Sequence, residues 1–150
     1  MIGAGPAGVS AAVEAARLGF EPLLFDGSGS AGGLVREAFE VRNLPGGVMA
    51  GCEVAAQFAE LLGRWGIPVV HASIASVECG MRGVVLRDPA GGAMRASAVV
   101  AATGTEAVEP SIEGLPGSFG PGFYPSARAL LAGSPEGSAC VIGGGDAAFD

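Results

Sequence analysis

The chain has 150 residues, 49% hydrophobic and only 15% charged, which suits a packed interior rather than a disordered tail. Its 27 glycines fall in clusters between apolar runs with no three-residue repeat, which excludes collagen and low-complexity sequence and points to tight turns and phosphate loops. With 8 Lys and Arg against 15 Asp and Glu the net charge is -7, the wrong sign for a nucleic-acid partner.

In chain order, Pro6 to Leu18 is alanine-rich, unbroken and followed by Gly19, as a helix with a glycine stop would be. Glu21 to Asp26 (EPLLFD) reads as a buried parallel strand closed by an acid and Gly27. Dense punctuation from Gly27 to Gly47 predicts an extended loop. Gly51 to Trp65 then places Val54, Phe58, Leu61, Leu62 and Trp65 on one helical face, which puts Trp65 in the core, and Gly66 and Pro68 end the helix. Strands are expected at Ile67 to His71, Ser73 to Glu78 and Gly83 to Arg87. The DPAGG turn (Asp88 to Gly92) leads into a further short strand, making a small antiparallel insertion.

Ser97 to Ala102 is a small apolar strand that empties into Thr103-Gly104. A Pro/Gly-rich stretch from Glu109 to Pro125 reads as an inter-domain linker, and Ala139 to Ile142 as a strand entering a second glycine loop. Cys52, Cys79 and Cys140 lie far apart, with no CxxC and no zinc-like cluster, so no metal is expected and each thiol reads as a small buried hydrophobe in a reduced, cytoplasmic protein. No apolar run approaches the roughly 18 residues of a membrane span, so no membrane partner is expected. His71, the single histidine, suits a strand end better than catalysis.

Two glycine loops carry the chemistry. Gly3-Ala4-Gly5-Pro6-Ala7-Gly8 matches G-x-G-x-x-G, in which glycines allow a tight turn, close approach of backbone to a pyrophosphate, and helix-on-strand packing. The loop opens a helix whose amide end favours an anion, and the following strand ends in Asp26, where a carboxylate accepts ribose hydroxyls. Gly143-Gly144-Gly145-Asp146-Ala147-Ala148 fits G-x-G-x-x-A behind its strand, with Asp146 orienting the loop or touching nucleotide. Two nucleotide loops in one chain imply hydride relay between two dinucleotides.

The order GAGPAG, AGGL at Ala31 to Leu34, VRNLPG at Val41 to Gly46, AATG at Ala101 to Gly104 and VIGGGDAAFD at the end resembles the thioredoxin-reductase-like flavoproteins, within the class II pyridine nucleotide-disulfide oxidoreductases. The resemblance implies an α/β, Rossmann-like FAD/NAD(P)-binding fold, a parallel sheet with helices plus the antiparallel insertion. Residues 1–112 would be the N-terminal part of an FAD-binding domain, and residues 113–150 the linker and start of an NAD(P)-binding domain. It implies FAD at Gly3, Gly5, Pro6, Ala7, Gly8, Asp26, Gly32, Gly33, Leu34, Asn43, Thr103 and Gly104, with adenine near Ile74. NADP or NAD would bind at Gly143, Gly145 and Asp146. Partners would be a nicotinamide dinucleotide, a small redox protein of ferredoxin or flavodoxin type as one acceptor, and a second copy in a homodimer.

Dithiol members carry CxxC just before the second loop, because the flavin hands electrons to a nearby disulfide. Here Phe123-Tyr124-Pro125-Ser126-Ala127-Arg128 stands in that place, with Pro125 and Arg128 at the two thiol positions. The sequence therefore looks closer to members without the redox disulfide, and no catalytic acid or base is assigned. Leu34 and Phe39 stand where the ferredoxin/NADP reductases carry Gln and Tyr. Tyr124 reads equally as a flavin cover and as a linker aromatic. A dithiol reductase relative and a non-catalytic nucleotide-binding module remain as alternatives. Two residues before Gly3 and an end inside a motif read as truncation, so the 150 residues alone are expected to bind FAD poorly and to be inactive.

Overall fold

In the computed structural model, residues 1–44, 47–81, 83–106, 122–124, 127–133, 136–138 and 140–143 are described. The chain divides into two units, Met1–Gly104 and Thr105–Asp150.

In the first unit, helix α1 spans Pro6–Arg17. Gly5 is its extended N-cap, and Pro6 opens the first turn, where a missing N–H costs nothing. After Leu18 the chain leaves the helix through Gly19, whose φ of 86° suits a residue without Cβ. Strand β1 is Leu24–Asp26, shorter than the expected Glu21 to Asp26. Helix α2 is Gly51–Arg64. Its N-cap residue Ala50 has no side-chain oxygen, so only the reciprocal half of a capping box forms, with Glu53 accepting the Ala50 N–H at 2.9 Å.

Strand β2, Val69–His71, pairs in parallel with β1, setting Asp26 beside His71. Ile2 bridges Phe25 on one side and Ala101 on the other, both in parallel. Gly3 N–H donates to Phe25 O at 2.7 Å, and Ile2 N–H donates to Val100 O at 2.9 Å. The spatial order of the parallel segments is thus third, second, first, fourth in chain order. That is the order of a Rossmann half-sheet, with its switch point between Gly3 and Ala102.

The connection to the fourth segment is an antiparallel meander, β3 (Ser76–Gly80), β4 (Gly83–Arg87) and β5 (Ala93–Ala96). Its second turn is held by Asp88, whose Oδ1 accepts the N–H groups of Ala90 and Gly92. The core gathers Ala4, Val9, Ala12, Leu24, Ala31, Leu62 and Ile67 from the glycine loop, both helices and the sheet. Leu24 is fully buried at its centre. Leu24→Ala should cost about 3 kcal/mol, read as a lower urea midpoint with an unchanged slope.

Several expectations are corrected. Trp65 is exposed rather than core, because α2 ends at Arg64 and Ile67, beyond the Gly66 turn, takes the buried position. All three cysteines are exposed. Cys52 sits in the first turn of α2 beside the buried pair Val54 and Ala55, and Cys79 lies on β3, exposed along its whole length. The loop from Gly27 to Gly47 contains a 3-10 helix, Gly33–Glu37.

The Ser97 to Ala102 segment contributes a bridge at Ala101 rather than a full strand. In the second unit, Cys140, Val141 and Ile142 form no strand, since a parallel strand exists only by pairing and no described residue pairs with them. Helix α3, Ala127–Gly133, lies where no helix is expected, in an Ala/Leu-rich run. The Glu109 to Pro125 linker lies outside the described residues except for 122–124. Among the described residues no helix is long and apolar enough to cross a membrane.

Candidate functional site

The carboxyl ends of the parallel segments form one rim, and the glycine loop sits on it. Each glycine of the motif meets a different constraint. Gly3 has φ 97°, and a Cβ there would fall on the carbonyl oxygen of Ala102. A Cβ on Gly8 would fall on the carbonyl oxygen of Gly3, so the start of α1 lies directly on the strand. Gly5 differs: its backbone is extended, and a Cβ would meet nothing nearer than the Gly33 Cα at 4.0 Å. The protein itself does not demand a glycine at position 5. The space is instead open beside the first turn of α1, where the Ala7 and Gly8 amides have no intrahelical acceptor. An open cradle of this kind fits a pyrophosphate.

The GG turn is docked onto this loop. Gly32 N–H donates to Ala4 O at 2.8 Å, and a Cβ on Gly33 would lie 3.0 Å from the Gly5 Cα. Asp26, at the end of β1, accepts the Ala4 N–H on Oδ2 at 2.8 Å. Its Oδ1 accepts the Ser28 N–H at 2.8 Å and the Ser28 hydroxyl at 2.6 Å. One lone pair of Oδ2 is left for a ligand hydroxyl. Burial pushes the Asp26 carboxyl up, but the bonds from Ser28 and Ala4 and the Arg36 charge outweigh it and hold the group below the usual carboxylate range.

The structure brings Gly3, Gly5, Gly8, Asp26, Gly32 and Gly33 together, with Pro6 and Ala7 exposed at the helix start. Thr103 joins them, its Cα 3.4 Å from where a Gly3 Cβ would lie, and Gly104 follows with φ 75°. Leu34 is exposed at the start of the 3-10 helix. Ile74 is half-buried just beyond β2, next to Ser73, whose hydroxyl faces Gly27. Asn43 is exposed in the loop that the Val41–Met49 bridge closes.

In the second unit Gly143 is exposed with φ 123°, while Gly145 and Asp146 lie outside the described residues. Tyr124 is half-buried, and its ring occupies the space a Cβ on Gly133 would need. Sequence reasoning missed Ser28, Ser30 and Arg36 as partners around Asp26. The Asp-x-Ser pattern is a turn signal that points to Ser28. Nothing local to Arg36 marks it.

The family model described as pyridine nucleotide-disulphide oxidoreductase matches residues 1–150. The thioredoxin reductase of Streptomyces coelicolor is 31% identical over 153 residues, covering 100% of this chain and 47% of that protein. That of Chlamydia trachomatis is 35% identical over 162 residues, covering 100% of this chain and 50% of that protein. The chain thus spans about half the length of these curated relatives. Among solved structures, the atypical thioredoxin reductase from Desulfovibrio vulgaris Hildenborough aligns with a TM-score of 0.61 at 31% identity, over 75% of this chain and 38% of that one. A flavin-containing monooxygenase from Stenotrophomonas maltophilia aligns with a TM-score of 0.63 at 26% identity, over 73% of this chain and 39% of that one.

Proposed function

The chain belongs to the pyridine nucleotide-disulphide oxidoreductase family, and on that premise we propose that the protein carrying it is a flavin-dependent oxidoreductase that moves a hydride from NADPH or NADH to FAD and the electrons onward to a separate acceptor. The observation that carries this reading is the cradle at Gly5: an open space at a helix N-terminus, on the switch point of a Rossmann sheet, with a carboxylate at the end of the next strand. In this reading the Ala7 and Gly8 amides hold the FAD pyrophosphate, and Asp26 Oδ2 accepts ribose hydroxyls. Ile74 lies along the adenine. Gly32, Gly33, Leu34, Asn43, Thr103 and Gly104 border the rest of the cofactor. Gly143, Gly145 and Asp146 serve the nicotinamide dinucleotide. Residues 1–112 make up the FAD part, and residues 113–150 lead into the second nucleotide domain.

The acceptor is placed outside the chain's own thiols, because Pro125 and Arg128 stand at the two positions where dithiol members carry cysteine. A small redox protein docking from outside is the acceptor proposed.

Anaerobic titration of the intact, FAD-loaded protein with NADPH, and separately with NADH, tests the reading. Stoichiometric loss of the visible flavin absorbance with one of the two is expected. A protein that takes up FAD yet keeps it oxidised under both would instead be a non-catalytic nucleotide-binding module.

A further inference from the structure

Asp26 belongs to a ring of hydrogen bonds that begins and ends on Ala4 of the glycine loop. Ala4 N–H donates to Asp26 Oδ2, and Asp26 Oδ1 accepts the Ser28 hydroxyl. The Ser28 and Ser30 hydroxyl oxygens lie 3.2 Å apart. Arg36, from the 3-10 helix, reaches back and donates Nη2 to Ser30 Oγ at 2.7 Å and to the carbonyl of Ala31. Gly32 N–H then donates to Ala4 O and closes the ring. Arg36 is the one positively charged member, and it touches both arms: the serine relay to Asp26 and the turn that packs on Gly5.

We propose that Arg36 is a positioning residue for the first nucleotide site, fixing the Asp26 carboxylate through Ser30 and Ser28 while holding the GG turn against the glycine loop through Ala31. The proposal rests on the reading that FAD binds at this loop. It gives Arg36 two separable duties. The positive charge stabilises ionised Asp26, and Nη2, whose two N–H bonds are held in fixed directions in the guanidinium plane, joins Ser30 to the turn at Ala31. A lysine can supply the first but not the second. Among the described residues, Arg36 lends its charge to Asp26 and His71 lies beside it as its register partner on β2. The first turn of α1 carries no acid, and the Met1 ammonium is at the other end of its segment, on Leu23 O. Loss of Arg36 therefore removes the guanidinium that, among the described residues, reaches the serine relay to Asp26.

The test measures FAD dissociation constants of the intact protein and its variants by flavin fluorescence, from neutral pH into the acid range. Arg36→Gln and Arg36→Ala should bind FAD about tenfold more weakly, and their acid loss of FAD should begin at higher pH than in the parent. Arg36→Lys should return the acid limb to its parental position without restoring full affinity. Ser30→Ala cuts the relay and spares the Ala31 bond, so it should move the acid limb in the same direction with a smaller loss of affinity. It also keeps the test open if an Arg36 variant does not fold. Unchanged FAD affinity in the Arg36 variants, or an acid limb that stays in place in Arg36→Gln and Ser30→Ala alike, overturns the proposal. A parent protein that takes up no FAD overturns the underlying reading, and the proposal with it.

Discussion

Gly5→Ala should leave the protein's stability nearly unchanged but deprive it of flavin, whereas Gly8→Ala should strongly destabilise the fold. The two glycines belong to one motif, but Gly8 is buried and Gly5 only half-buried. Gly5 has φ -71° and ψ -178°, which any residue adopts, and its Cβ would make only ordinary contact. The change in stability should stay within about 0.5 kcal/mol. The same methyl group would stand where the backbone must approach a pyrophosphate, so FAD affinity should fall at least ~100-fold, or ~3 kcal/mol.

Gly8 faces the opposite constraint. Its Cβ would land on the backbone oxygen of Gly3, and neither backbone can yield without lifting α1 from the sheet. A cost on the order of 3 kcal/mol or more follows. Urea midpoints and FAD titrations of the two variants side by side separate these effects. Parental FAD affinity in Gly5→Ala, or parental stability in Gly8→Ala, would contradict the assignment.

Asp26→Asn should weaken the fold by about 2 kcal/mol near neutral pH, because an amide can replace only one of the two acceptor oxygens that Ala4 and Ser28 use, and its NH2 then faces a backbone N–H. The pH dependence gives a second readout. The Asp26 carboxyl titrates lower in the folded protein than in the unfolded chain, so the unfolded chain takes up its proton first as pH falls. Its contribution is fully present above the ordinary carboxylate range and is lost as pH drops through the folded value. Stability of the parent minus that of Asp26→Asn should therefore shrink across that acid window. A difference that stays constant, or grows as pH falls, would contradict the hydrogen-bonded carboxylate.

The elements most legible in the sequence were those with a clear stop. Helix α1 announces itself by an unbroken alanine-rich run ending at Gly19, α2 by apolar spacing ending at Gly66, and both are found within a residue or two. The same period misplaced Trp65, because spacing continues on paper past the point where the helix has ended. Strand β1 came out at three residues because pairing sets a strand's length, and pairing is not written in EPLLFD. The cysteines failed for a related reason: composition says that thiols are usually buried, but not which face of α2 or β3 is covered.

At the site, Gly3, Gly8 and Asp26 could be found from spacing, since the glycine motif and the acid ending the following strand recur at fixed separations. Arg36 could not. Its contacts depend on a 3-10 helix folding the chain back over Ser30, and no periodicity predicts that return.

The most direct test of the central claim is the cofactor content of the intact protein. Denatured after purification in the presence of excess FAD and then desalting, it should release one FAD per chain, identified by chromatography against FMN and riboflavin. A folded protein that emerges colourless and releases no FAD would contradict the account.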